Sequence, residues 1–436
     1  MTTEPHAKPP APRLNRAMSM AMVVGTMIGS GIYLLPTTLA PFGPNILAAF
    51  AVTIGGTMCL AFAFAWLAAR IDGGPFFYVR AAFGDTAAFV TLWSYLIAQW
   101  TGVAAIAIAV AAAIGHVVPA AGSGIGMTVV ALGAIAILLL INLSGVRSAG
   151  WLQIWSTLIK IVPLVAVVLI VAVRVGSAQP LEPLAPVPVT VAGIGVAAAL
   201  MLFSLTGFEV ATVTADVTVD ASRTVPRSTI FGTGFTGMIY FTATVATLLL
   251  LASGRAASST SPFADAIAPI LGSSAGAAVA IIAAISAFGS CNATLLASAR
   301  VGHAIAGAND LPALFRRTNA AGAPTGSLWV GAGVAALLVV ASTSDNFVSV
   351  YVFIALVSTV AILVLYAVCA AAALKLGATG GLRWIAVVGL IYALAMFVGA
   401  GLTATLWGIA LAAAGLPLRW WSRRGLSRRG LGEAAG

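Results

Sequence analysis

Long apolar segments, separated by short polar connections, cover most of the 436-residue chain. About twelve of them approach the roughly 20 residues that an α-helix needs to cross a bilayer. Their approximate bounds are 18–40, 45–69, 86–115, 125–143, 151–174, 190–215, 228–253, 272–307, 326–342, 347–374, 384–401 and 403–419. This pattern predicts an all-α polytopic membrane protein with about twelve transmembrane helices.

Composition and charge support a membrane protein and set its orientation. The chain is 61% hydrophobic and 7% charged, whereas a soluble domain carries about 25% charged residues. With the N-terminus inside, all but three of the 21 basic residues fall on the cytoplasmic side; the exceptions are Lys160, Arg174 and Arg255. The sequence therefore predicts a multi-pass protein of the cell membrane (the inner membrane in a Gram-negative cell) with both termini cytoplasmic.

The two tails are predicted to be polar extensions and not domains. Residues 1–16 are rich in proline and predict a disordered cytoplasmic tail without a signal peptide. Residues 420–436 form a basic cytoplasmic tail, in which Trp420 and Trp421 suit the membrane interface. The net charge of +10 thus comes from basic residues on the cytoplasmic side of the membrane. The lipid bilayer is therefore the expected partner, and nucleic acid is not.

The first apolar segment carries an interruption, the sequence GTMIGSG at 25–31. Three glycines in seven residues disfavour a continuous helix. If the helix breaks here, the amides of Gly29, Ser30 and Gly31 lie at the positive start of a second half-helix, where a carboxylate binds well. The alternative is that Gly25 and Gly29 form a GxxxG pattern that serves helix packing.

The sixth apolar segment is interrupted as well, by FSLTGFE at 203–209. The two interrupted segments are five spans apart, so the halves of the chain that they open have opposite orientations in the membrane. Paired interruptions at corresponding positions indicate the binding site of a transporter.

These and other motifs resemble the amino acid–polyamine–organocation superfamily, in particular its basic amino acid/polyamine antiporter branch, which includes arginine–agmatine antiporters. The resemblance rests on five stretches, namely VGTMIGSGIYLLP at 24–36, GGPFFYVRAAFG at 73–84, FSLTGFE, DASRTVPR at 220–227 and ASARVGHAIAGANDLP at 297–312. It implies a five-plus-five inverted-repeat core with broken helices 1 and 6. The core would span residues 17–374, with repeats at about 17–174 and 190–374, and two additional helices would follow at 384–419.

The resemblance also assigns the substrate head group. It implies that the amides of Ser30 and Gly31 bind the carboxylate of an amino acid. The carbonyls of Met27, Phe203 and Thr206 would then bind its α-amino group, which suits the negative end of a half-helix.

The side-chain pocket departs from that branch. Thr26 replaces an asparagine, Phe203 replaces a tryptophan, and either Thr294 or Ala293 replaces a second tryptophan. In the third span, Ala98, Gln99 and Val103 fall at positions that line the pocket in the family. Because aromatic faces hold a guanidinium well, a pocket with fewer of them fits a neutral or smaller amino acid at least as well as arginine.

Two ionisable residues lie deep within the predicted spans, Lys160 and Glu209. Charges at that depth are costly and usually functional. In several sodium-independent members of the superfamily, a lysine of the fifth helix takes the place of a sodium ion, and Lys160 matches it. Glu209 suits either a gate or proton path, or a structural role beside unwound backbone.

The leading hypothesis is therefore a secondary transporter of an amino acid or amine, sodium-independent, and either an exchanger or proton-coupled. A polyamine or basic amino acid antiporter is the closest alternative, and a channel or sensor on the same fold is a remote one. An enzyme is disfavoured because acids, bases and metal ligands are not clustered, and neither a cofactor nor a metal is expected. The resemblance leaves a homodimer as an open alternative to a monomer.

Overall fold

The computed structural model describes residues 15–144, 149–215, 218–320, 322–342 and 347–433, which form α-helices joined by short connections. In this part of the chain, eleven helical segments are long and apolar enough to cross a membrane. A further apolar helix, Thr325–Ala341, has 17 residues, at the short end of the range for a spanning helix. The prediction of an all-α polytopic membrane protein is confirmed. Residues 1–14 and 434–436 of the two predicted tails lie outside the described residues.

The first apolar segment is divided into two helices, α1 (Arg16–Met27) and α2 (Ser30–Leu39). The side-chain oxygen of Asn15 caps α1 by accepting a hydrogen bond of 2.9 Å from the Met18 amide. Ile28 and Gly29 have non-helical backbone angles, so the predicted break is present.

Five helices follow the first break: α3 (Asn45–Ala68), α4 (Pro75–Phe83), α5 (Asp85–Val117), α6 (Gly124–Leu143) and α7 (Ala149–Gly176). The short helix α4 lies in the connection between the predicted spans 45–69 and 86–115, within the motif at 73–84. Gly74 and Gly84 flank it with φ angles of 84° each, a region that glycine adopts without strain. They let the chain turn sharply on both sides of α4.

The sixth apolar segment is also divided, into α8 (Val191–Leu205) and the single turn α9 (Val210–Val213). The Thr190 hydroxyl caps α8 by accepting a hydrogen bond of 3.0 Å from the Gly193 amide. Between α8 and α9, Gly207 has a φ angle of 108°, which a side chain would strain. The second predicted break is therefore present too.

Eight α-helices follow in the described residues after α9: α10 (Ala221–Leu250), α11 (Ser253–Ser258), α12 (Pro262–Leu271), α13 (Ser273–Gly307), α14 (Thr325–Ala341), α15 (Phe347–Lys375), α16 (Gly380–Gly399) and α17 (Leu402–Glu433). Helix α17 continues beyond the predicted end of the last span at 419. The described part of the basic tail is thus helical.

Helix α5 lies at the centre of the molecule, packed against α13 and α15. In its most apolar stretch 83% of the residues are buried, compared with 22% in α7 and 28% in α6 and α16. The exposed apolar side chains of these outer helices suit contact with lipid tails. The two broken segments lie inside this shell. The first packs against α5 and α13 through α2, and the second packs against α3, α15 and α16 through α8.

An ion-pair cluster joins the end of α17 to two other parts of the chain. The Asp310 carboxylate, in the loop after α13, accepts hydrogen bonds from Arg419 Nε at 2.9 Å and from Arg423 Nε at 2.7 Å. Arg419 also donates to the Thr86 hydroxyl at the start of α5, at 2.8 Å. Arg419 and Asp310 are both buried, so this clamp fixes α17 against α5 and α13.

Candidate functional site

The first break presents backbone amides to the interior of the protein. The Gly29 amide donates a hydrogen bond of 2.8 Å to the Met27 carbonyl, so it is used within the break itself. Ser30 and Gly31 form the first turn of α2, where a helix offers no acceptor for the amides and its dipole is positive. Both residues are buried. Of the three amides predicted to favour a carboxylate, the geometry favours those of Ser30 and Gly31.

The second break is held by its own side chains. Thr206 donates to the Phe203 carbonyl twice, from its hydroxyl at 2.8 Å and from its amide at 3.4 Å. The Glu209 carboxylate accepts a hydrogen bond of 3.0 Å from the Gly207 amide. The chain can thus unwind here while most of its backbone groups keep partners, which a break inside a membrane requires.

The two breaks touch each other through their glycines. A Cβ atom on Gly31 would lie 2.6 Å from the Ser204 hydroxyl oxygen and 2.8 Å from the Ser204 Cα atom. A Cβ atom on Gly207 would lie 3.1 Å from the Thr26 Cγ2 atom. Each break therefore has a glycine where the other approaches.

A cavity of about 50 Å³ lies between the breaks, α5 and α13. Most of the predicted site residues line it: Thr26, Met27, Gly29, Ser30, Gly31, Ala98, Gln99, Phe203, Thr206, Glu209 and Thr294. Thr294 reaches this cavity and Ala293 lines a neighbouring one, so the geometry favours Thr294 at the ambiguous position. The structure leaves Val103 outside this lining, because its position on α5 points into an apolar cluster.

The lining also contains residues that the sequence did not single out. They are Gly102, Ile106, Ser204, Gly207, Val210, Ser290, Ser358 and Ile362. Gly102 and Ile106 follow Ala98 at intervals of four residues, a helical spacing that identifies the face of α5 turned to the cavity. Ser290 and Ser358 come from α13 and α15, where neither serine belongs to a motif that would give a sequence signal.

The cavity is polar but poor in aromatic rings. Phe203 is the one aromatic residue among its described lining, and its ring packs edge-on against Tyr351 with centroids 6.1 Å apart. The hydroxyl oxygens of Thr26, Ser30 and Ser290 are buried without a hydrogen-bond partner among the described residues. Since a buried hydroxyl is costly to leave unpaired, these three are available to a ligand.

Two of the three carbonyls expected to bind an ammonium group, those of Met27 and Phe203, already have donors. The Met27 carbonyl accepts from the Tyr240 hydroxyl and the Gly29 amide, and the Phe203 carbonyl accepts twice from Thr206. A carbonyl oxygen has two lone pairs, so an arriving ammonium has to displace one of these donors. The Thr206 hydroxyl can rotate away, which makes the Phe203 carbonyl the easier of the two to free.

Glu209 lies at the wall of the cavity with partners from distant helices. Its carboxylate accepts hydrogen bonds from the Tyr366 hydroxyl at 2.8 Å and from the Tyr95 hydroxyl at 3.5 Å, besides the Gly207 amide. Only 1% of the residue is exposed. Glu209 thus connects the second break to α5 and α15.

Lys160 lies behind the first break and outside the cavity lining. Its ammonium group donates to the Gly25 carbonyl at 3.1 Å, and its own carbonyl accepts a hydrogen bond of 2.7 Å from the Tyr33 hydroxyl. It is 1% exposed, so it does not extend to the membrane surface. Lys160 therefore bonds to both halves of the first broken segment, at Gly25 in α1 and at Tyr33 in α2.

Two larger cavities extend from the site towards the basic loops. The second, of about 360 Å³, shares Thr26, Gln99, Val210 and Thr294 with the first. The third, of about 620 Å³, shares Tyr95, Val213 and Arg300 with the second and includes Arg80. The three cavities together outline a route from the site to one face of the protein.

A membrane-spanning helical bundle with two interrupted helices around a buried polar cavity defines a secondary transporter. Comparison with known proteins agrees. The family described as amino acid permease matches residues 14–418, nearly the whole chain. The chain belongs to this amino acid permease family, so the resemblance drawn from its motifs is confirmed.

Similar proteins include other transporters. A protein described as an uncharacterized transporter of Mycobacterium tuberculosis is 32% identical over 392 residues, covering 87% of this chain and 84% of the relative. A putative arginine/ornithine antiporter of Bacillus subtilis is 29% identical over 389 residues, with coverage of 81% and 82%. A cadaverine/lysine antiporter of Escherichia coli is 27% identical over 334 residues, with coverage of 74% for each chain. The chain is therefore a transporter of amino acids and not an enzyme.

Proposed function

We propose that the chain is a sodium-independent transporter that carries a small neutral amino acid across the cell membrane by alternating access. Both termini would be cytoplasmic, and residues 17–374 would form two inverted repeats, with the helices at 384–419 outside them. The observation that carries the proposal is the pair of amides of Ser30 and Gly31, which begin a half-helix at the wall of a buried cavity opposite a second break.

The head group of the substrate would bind between the two breaks. The amides of Ser30 and Gly31 would hold the carboxylate, and the carbonyls of Met27, Phe203 and Thr206 would hold the α-amino group. The substrate would thereby join α1–α2 to α8–α9, which already meet at Gly31 and Ser204.

The side chain of the substrate would face Thr26, Ala98, Gln99, Thr294 and Phe203. The cavity of about 50 Å³ is small and has one aromatic ring, so it favours a compact neutral side chain over a guanidinium.

Lys160 would supply the positive charge that a sodium ion supplies elsewhere in the superfamily. Its ammonium group donates to the Gly25 carbonyl in the last turn of α1, where the helix dipole favours a cation. Transport would be driven either by proton coupling through Lys160 or by the exchange of one substrate for another. Glu209 would act in gating.

The route of cavities leads towards the basic loops, which the distribution of charge places in the cytoplasm. The structure would then represent a state with its site closer to the cytoplasm, and the contact between Phe203 and Tyr351 would close the other side.

The second candidate is an antiporter of basic amino acids or amines. Glu209, a carboxylate at the cavity wall, favours it, and two relatives are described as arginine/ornithine and cadaverine/lysine antiporters. Against it, the Glu209 carboxylate already accepts three hydrogen bonds from the protein.

Counterflow in proteoliposomes tests both candidates. Vesicles loaded with unlabelled alanine, serine, arginine or cadaverine are diluted into each labelled compound, with sodium present or replaced by choline. The proposal expects saturable counterflow of alanine or serine that does not depend on sodium. Counterflow confined to arginine and cadaverine would establish the second candidate, and unsaturated conductance would indicate a channel.

A further inference from the structure

Ser290 of α13 has a buried hydroxyl group that no described part of the chain pairs with. The residue is 2% exposed and lines the cavity, and its Oγ atom has no hydrogen-bond partner among the described residues. Serine in a helix commonly donates to a carbonyl three or four residues earlier, as Ser298 does to the Leu295 carbonyl at 2.7 Å. Because an unpaired hydroxyl is costly in an interior without water, the Ser290 hydroxyl is available to a bound ligand.

The position of this hydroxyl indicates which part of a ligand it meets. A Cβ atom on Gly29 would lie 2.7 Å from Ser290 Oγ, so the hydroxyl contacts the backbone directly before the amides of Ser30 and Gly31. Of the predicted side-chain pocket, Ala98 and Gln99 are on a different helix, α5, and Thr294, one turn further along α13, uses its hydroxyl to donate to the Ser290 carbonyl at 2.9 Å. Lys160 is near the adjacent Gly289, but its ammonium group donates to Gly25. Ser290 is thus placed at the head-group end of the cavity.

We infer that Ser290 donates a hydrogen bond to the carboxylate of the substrate, as a third donor beside the amides of Ser30 and Gly31; this rests on the carboxylate site of the proposed function. A carboxylate has about four acceptor positions on its two oxygens, so three donors are readily accommodated. The amides belong to the broken helix α2 and the hydroxyl to α13. A bound carboxylate therefore links these two helices, and a ligand without one does not.

The inference is tested on purified full-length protein with Ser290→Ala and Ser290→Cys. The variant Ser298→Ala is the matched control, because it removes a buried hydroxyl from the same helix away from the cavity. The twenty common L-amino acids are first screened by thermal shift with wild-type protein. The dissociation constant of the tightest binder, and that of the same compound with its carboxylate converted to an amide, are then measured for every variant.

We expect Ser290→Ala to raise the dissociation constant of the amino acid about tenfold, the usual effect of losing one hydrogen bond to a charged group. Ser290→Cys should give a smaller loss, since a thiol is a weak donor. The amide derivative forms only neutral hydrogen bonds, so the substitution should reduce its affinity clearly less than that of the amino acid. The melting temperature without ligand should stay the same or rise, because an unpaired hydroxyl has been removed.

Other outcomes overturn the inference in distinguishable ways. A lower melting temperature with unchanged affinity would make Ser290 a packing residue. Equal losses for the amino acid and its amide would assign the hydroxyl to another part of the substrate. If no amino acid binds the wild-type protein, the proposed function fails, and the inference fails with it.

Discussion

The ammonium nitrogen of Lys160 lies 3.1 Å from the carbonyl oxygen of Gly25, at the point where α1 approaches its break. The lysine is on α7, far away in the sequence, and the two residues meet inside the protein. The lysine side chain donates this hydrogen bond more strongly as a charged ammonium group than as a neutral amine. Protonation of Lys160 is therefore expected to favour the arrangement in which α1 rests against α7.

Lys160→Met tests the role of this charge in coupling. Methionine fills a similar volume without a titratable group, so the variant should transport more slowly and its uptake should vary less with pH than that of the wild type. Tyr33→Phe is the control, because it removes the hydrogen bond to the Lys160 carbonyl and leaves the ammonium group in place. Initial uptake rates in proteoliposomes between pH 6 and 10, a range that reaches the ordinary titration range of lysine, provide the measurement. A pH profile identical to the wild type would show that Lys160 is not the coupled group.

Gly31→Ala is expected to abolish uptake and lower the melting temperature, through packing as well as through the substrate site. The added Cβ atom would lie 2.8 Å from the Ser204 Cα atom, so the two broken helices must move apart. Overpacking of this kind costs about 1–3 kcal/mol. Gly133→Ala on α6 is the matched control, because no atom lies within 4 Å of its added Cβ. If the Gly31 variant took up substrate at the wild-type rate, the first break would not be part of the substrate site.

Glu209 is expected to tolerate glutamine better than alanine. Glutamine can still accept from the Tyr366 hydroxyl and the Gly207 amide, whereas alanine leaves both unpaired, at a cost of about 1–3 kcal/mol for each buried group. Thermal unfolding of the two variants measures this difference. If Glu209→Gln is folded but inactive, the charge of Glu209 serves transport; full activity would limit the residue to a structural role.

Asp310→Ala should strongly destabilise the protein. Arg419 is buried, and its charge would lose its carboxylate partner, a change that costs about 3–5 kcal/mol for a buried pair. Arg423→Ala is the control: it removes the other ion pair of Asp310, but that side chain is 52% exposed, so the loss should be below about 1 kcal/mol. Equal melting temperatures for the two variants would contradict the clamp.

The sequence predicted the features that depend on local chemistry. Apolar segments of sufficient length gave the helices, and the glycine and polar clusters at 25–31 and 203–209 gave both breaks. Gly207 shows why. Its φ angle of 108° is a conformation that glycine adopts readily and other residues avoid, so the residue type itself signals the local backbone.

Features that depend on how distant helices pack were not predictable from one sequence. The partners of Glu209, Tyr95 and Tyr366, come from α5 and α15, and nothing in their local sequence marks them as neighbours. Ser290 is one of several serines in α13, and only its missing hydrogen bond distinguishes it. The rotation of α5 about its axis decided that Gly102 and not Val103 faces the cavity.

The small cavity and the larger one beside it share Thr26, Gln99, Val210 and Thr294. Three of these four are residues expected to choose among substrates, and under the proposed function all four would line the passage that a substrate crosses on its way out. The same side chains would then determine both the selectivity for the substrate and the rate of its release. An amino acid that fits these side chains more tightly should also leave more slowly, so variants at Thr26 or Thr294 should change KM and kcat together. Wider specificity and faster turnover would then be gained by the same substitutions.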